Sequence, residues 1–74
     1  MYTLTECVDR MIVSSRDNIP ILLDMVDERS ELKDAQEFVE NALEFYQSEM
    51  AEFPEMYWRV SRCKYILSLI SERY

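Results

Sequence analysis

The side chains that perform most acid-base and metal chemistry near neutral pH are missing from this chain or badly spaced for it. There is no histidine, so the usual general base and the commonest metal ligand are both absent. Cys7 and Cys63 lie far apart, each on an apolar helical stripe, where a thiol behaves as a small buried hydrophobe. Two separated cysteines do not make a zinc site. The reading is two structural thiols in a reduced compartment rather than a disulfide, with contact between them left open.

Carboxylates are the abundant reactive groups, 15 Asp and Glu against 8 Lys and Arg, a net charge of -7. Glu37 with Glu40, and Glu40 with Glu44, have the spacing of neighbours on one helix face. General acid and base work needs two such groups with pKa values pushed apart by their surroundings, and an outward helix face does no pushing. DMVDERSELKD, residues 24–34, resembles a calcium loop only superficially: Val26 falls where a ligand belongs and the turn glycine is missing. No base is recognisable near Ser14, Ser15 or the serines of the last helix. The expectation is a protein that is not an enzyme, with no catalytic residues, no metal site and no cofactor.

Charge distribution carries more. From Asp24 to Glu55 eleven carboxylates face Arg29 and Lys33, a net -9, whereas Met56 to Tyr74 is net +3. Asp34, Glu37, Glu40 and Glu44 form an acidic ridge with charges about 4.5 to 6 Å apart along a helix axis. That is of the same order as the phosphate spacing along a nucleic-acid strand, about 3.4 Å. An ordinary solvated face is the bland account. The functional one is that the ridge occupies a basic surface of a partner protein, such as a nuclease or polymerase component. It would repel DNA, RNA and anionic membrane, so no direct nucleic-acid or membrane partner is expected.

These groups must be carried on helices. Glycine is absent, which argues against tight hairpins and phosphate-cradling loops. Thr3 and Glu6 have capping-box spacing, and Leu4, Cys7, Val8, Met11 and Ile12 follow on one stripe. Asn18 is a candidate N-cap, with Pro20 in the first turn of a second helix. Its stripe, Ile19, Leu22, Leu23 and Val26, loses phase near Ser30, where a boundary is placed against the alternative of one long helix. Leu32, Ala35, Val39, Ala42, Leu43, Tyr46 and Met50 mark a third helix, with Phe38, Phe45 and Tyr46 read as core. It should stop near Phe53, because the residue before a proline is pushed out of the helical region. Pro54 and Glu55 then open a fourth helix, a kink within one long helix being the alternative.

The fourth helix carries two stripes: Met56, Val60, Cys63, Leu67, Ile70 and Tyr74 on one side, Trp58, Tyr65 and Leu69 on nearly the opposite one. A helix apolar on two sides is central in its bundle or shared with another molecule. Trp58, Arg62, Tyr65 and Leu69 are therefore a candidate aromatic face for a partner or for a second copy of the chain. Glu49 is odd, a charge on the apolar side of the third helix, either past the end of the core or placed to meet Arg59 or Arg62 across the corner.

The sequence thus predicts one all-α domain over 1–74, a small antiparallel bundle of three to four helices near 4–16, 19–29, 31–52 and 55–73. A chain this short buries only roughly 60% of its unfolded surface, so a partner or second copy would help it. Neither a signal peptide nor a membrane span is recognised, and a cytoplasmic location is expected. The leading functional reading is a non-catalytic acidic regulator or inhibitor that binds protein, a composition class shared by small phage and mobile-element regulators. A homodimeric structural or adaptor module is the alternative.

Overall fold

The capping box forms as its spacing predicts. In the computed structural model, which describes residues 2–74, the Glu6 N–H donates to the Thr3 hydroxyl at 3.2 Å and the Thr3 N–H donates to the Glu6 carboxylate at 3.2 Å. The backbone donor of Thr3, and next its hydroxyl, hold the Glu6 carboxyl below the usual carboxylate range. Helix α1, Leu4–Val13, follows. It ends earlier than the expected residue 16 because Ser14 is already extended, at φ -85° and ψ 173°.

A single 3-10 turn, Arg16–Asn18, leads directly into α2, Ile19–Glu28. Asn18 occupies the cap position but its backbone is already helical and its side chain makes no capping bond. The 3-10 turn does the initiating in its place, and Pro20 lies in the first turn as expected.

The break at Ser30 is real, and its chemistry follows from the missing glycine. Ser30 has φ 59°, the left-handed conformation in which a chain usually places glycine. Around it the Ser30 N–H donates to the Asp27 carbonyl at 3.0 Å and the Glu31 N–H to the Val26 carbonyl at 3.1 Å. This pair of bonds is a Schellman motif, which satisfies carbonyls left over at the end of α2. Helix α3, Leu32–Glu49, starts two residues later.

At its far end α3 stops three residues short of the expected 52. Phe53 is pushed to φ -126° and ψ 83° before the proline. Pro54 opens a second 3-10 turn, Pro54–Met56, rather than the α-helix itself, and α4 runs Tyr57–Glu72. The chain reverses here at a corner, and α3 and α4 share the most extensive contact in the molecule.

The four helices form an all-α bundle with one continuous core: Met11, Ile12, Ile19, Leu23, Ile66 and Ile70 are its largest fully buried side chains. Ile66, which belongs to neither stripe assigned to α4 from sequence, is completely buried, and Tyr74, assigned to one, is exposed. Two observations locate the core's limit. Full burial along α3 stops after Val39, beyond which Ala42, Leu43 and Tyr46 are only half-buried against the core, and Val60 is buried on α4 without joining the main cluster. Helices α1 and α2 have 10 residues each against 18 in α3, about 15 Å against 27 Å of axial length. The shorter pair seals one end, and the corner end of the α3–α4 hairpin is left with little cover.

Candidate interaction surface

All four ridge residues, Asp34, Glu37, Glu40 and Glu44, lie on α3 and are exposed. Among the described residues no Lys or Arg stands within 4.0 Å of any of their carboxylates. Asp34 also sits in the first turn of α3, where the helix dipole favours a negative charge. Asp34 and Glu37 border a shallow depression of about 260 Å³ with Leu4, Phe38 and Asn41.

The arginines, by contrast, are all engaged inside the molecule. Arg73 pairs with Asp24 at 2.8 Å and Asp27 at 3.4 Å, fastening the end of α4 to α2. Arg29 lies 3.5 Å from Glu31 and donates to the Cys7 sulfur at 3.4 Å. The inner oxygen of Glu31 accepts no hydrogen bond, so this pairing is one of charge proximity alone. Arg62 donates to the Ser14 carbonyl at the end of α1, where a cation meets the negative pole of the helix. Arg10 and Arg16 lie over the rings of Tyr2 and Tyr65 at 4.2 and 4.1 Å. Arg59 stacks on Trp58 at 4.8 Å and on Tyr46 at 5.5 Å, and donates to the Tyr46 hydroxyl at 3.4 Å. Such contacts contribute roughly 0.5–1 kcal/mol each at partly exposed sites. Among the described residues only Asp24, Asp27 and Glu31 of the acids gain an ion pair, and no charged side chain is buried, so the excess negative charge stays on the outside.

The aromatic face expected on α4 is divided by the structure. Tyr65 and Leu69 are half-buried and pack against the protein's own core. Arg62 is committed to α1 through Ser14. Trp58 alone of the four stays largely exposed, at 43%. The readings of Phe38 and Phe45 as core need correction, since they are 44% and 59% exposed. They flank the buried stripe of α3, and a flanking side chain is covered only where another helix lies beside it. Tyr46 does pack against the core.

Four exposed aromatics, Phe45, Phe53, Tyr57 and Trp58, lie where α3 turns into α4. Phe45, Tyr46, Phe53 and Met56 line a groove of about 430 Å³ together with Glu49, Glu55 and Arg59. Tyr57 and Trp58 stand exposed on the neighbouring turn. Glu49, the misplaced charge, therefore borders this groove. No ion pair forms between it and Arg59 or Arg62 among the described residues, because both arginines are held elsewhere.

Both cysteines are free and fully buried. Burial pushes the Cys63 thiol up to about 11, with nearby Arg59 opposing weakly, so it is a poor nucleophile at neutral pH. Among the described residues no three His, Cys, Asp or Glu side chains converge as metal ligands, and no helix is long and apolar enough to cross a membrane. Comparison with protein-family models, with curated proteins and with solved structures found no match to this chain.

Proposed function

We propose that this chain is a non-catalytic acidic binding protein, a regulator or inhibitor that engages a basic surface on nucleic-acid-processing machinery. The supporting observation is the separation of charge roles: every arginine is tied into the fold, while Asp34, Glu37, Glu40 and Glu44 stand on one helix with no Lys or Arg among the described residues within 4.0 Å of their carboxylates. An uncompensated row of carboxylates on a rigid helix raises the encounter rate with a basic groove and rejects acidic competitors. A phage or mobile-element origin and a cytoplasmic setting belong to the same proposal, by analogy of composition.

Homodimerisation through Trp58, Tyr65 and Leu69 has less in its favour, because two of those three already pack within their own chain. The ridge is tested by capture from a lysate of the source organism, using the wild-type chain and the charge-reversed E37K/E40K/E44K variant. The expected result is a basic partner held by the wild type, released by salt and missed by the variant. Equal recovery of that partner by both proteins would contradict the reading.

A further inference from the structure

We infer that the groove at the α3–α4 corner is a docking site for a basic amphipathic helix of a partner protein. Apolar side chains of that helix enter between Phe45, Phe53 and Met56, and its lysines or arginines meet Glu49 and Glu55. This rests on the reading of the chain as a binder of basic protein surfaces and specifies the segment it takes.

Shape and composition supply the first argument. A cleft of about 430 Å³ lies within the usual size of binding clefts, roughly 300–1,000 Å³. Its apolar walls are aromatic and methionine side chains, the types enriched where proteins bind one another, and Glu49, Glu55 and Arg59 complete the lining. It lies along a helical hairpin at the end where α1 and α2 give little cover, so a further helix laid there would complete the packing that the other end already has.

Charge decides which occupant fits. No Lys or Arg among the described residues stands within 4.0 Å of Glu49 or Glu55. Arg59 is held over Tyr46 and Trp58. An apolar segment carrying its own cations satisfies these carboxylates as it excludes water from the groove. A second copy does the reverse, since a two-fold contact sets the same acids of two chains, each of net charge -7, against one another. Nucleic acid is repelled for the same reason.

The probes are synthetic peptides of roughly 18 residues, about five helical turns. One is a leucine/lysine helix with a single apolar face, one has the same composition with the leucines scattered, and one is a leucine/glutamate helix. Each is titrated into the isotope-labelled chain and followed by amide shifts and Trp58 fluorescence. The amphipathic leucine/lysine peptide is expected to bind about tenfold or more tighter than the scattered one. It should move signals at Phe45, Phe53, Met56 and Trp58, and the leucine/glutamate helix should not bind.

F45S/F53S replaces two exposed residues, so the variant keeps its helical circular dichroism and loses that tenfold preference. Three results overturn the docking site: equal affinity for the amphipathic and scattered peptides, wild-type binding by F45S/F53S, or a dimer of the chain alone that F45S/F53S abolishes. Loss of binding in F45S/F53S with no change in E37K/E40K/E44K keeps the groove and sinks the ridge, whereas the opposite pattern keeps the ridge and sinks the groove.

Discussion

The two ends of the α3–α4 hairpin are made from the same kinds of residue and used differently. Where α1 and α2 lie against it, the apolar side chains Val39, Cys63, Ile66 and Ile70 are sealed, and arginines fasten the neighbouring helices through Ser14, Asp24 and Asp27. At the corner, Phe45, Phe53 and Trp58 face solvent, and no Lys or Arg among the described residues stands within 4.0 Å of Glu49 or Glu55 beside them. Apolar character in a helix therefore does not say whether it supports the fold or faces a partner. Whether a neighbouring helix reaches that level of the hairpin does.

The sharpest way to break this contrast is to truncate one residue from each end. Ile66→Ala leaves a cavity in the sealed end and should cost about 2–5 kcal/mol, a large part of the roughly 4–11 kcal/mol expected of a chain this size. Phe45→Ser, at an exposed site, should stay within about 0.5 kcal/mol. Urea denaturation of both variants reads the difference, and equal losses would erase the distinction between the ends.

A somewhat smaller effect comes from pH. Burial raises the Cys63 thiol from 9.0 to about 11, so the folded chain holds its proton where the unfolded chain has released it. That stability is fully present below pH 9 and is lost as pH rises toward 11, by about 2–3 kcal/mol. Wild-type denaturation midpoints should fall across this window more steeply than those of Cys63→Ala. Identical slopes in the two proteins would mean that the thiol is not sealed.

The smallest expected effect sharpens the account of the covered end. Ser30 holds a left-handed conformation that costs a residue with a Cβ roughly 1–2 kcal/mol. Ser30→Gly relieves it but loosens the unfolded chain, leaving a net gain of about 0.5–1 kcal/mol. A rise of a few degrees in the thermal midpoint is the corresponding observation, and a fall would show that the serine side chain stabilises the turn.

Local chemistry was legible in the sequence, and tertiary reach was not. The Thr3–Glu6 box and the stop before Pro54 involve residues within one turn of each other, so spacing alone reveals them. The loss of phase near Ser30 marked the boundary of α2, although nothing in the sequence said that serine would take a glycine's conformation. Ile66 does not stand out in the sequence because α4 contacts helices on several sides, which blurs its periodicity and favours a stripe through Leu67 instead. Phe38 and Phe45 look like core in the sequence because a pattern reports adjacency to an apolar stripe, not the length of the helices that would cover it. The ridge on α3 is visible in the sequence, but whether a cation reaches it depends on where the long Arg and Lys side chains end, and the folded chain alone fixes that.

Amide hydrogen exchange under native conditions tests the central contrast most directly, since it reports the free energy of opening residue by residue. The account predicts slow, globally limited exchange for amides near Met11, Leu23, Val39 and Ile66. It predicts faster exchange, through local opening, from Phe45 to Glu49 and around Trp58. Uniform protection along the whole of α3 and α4 would contradict it, because the corner would then be as firmly built as the end that the other two helices cover.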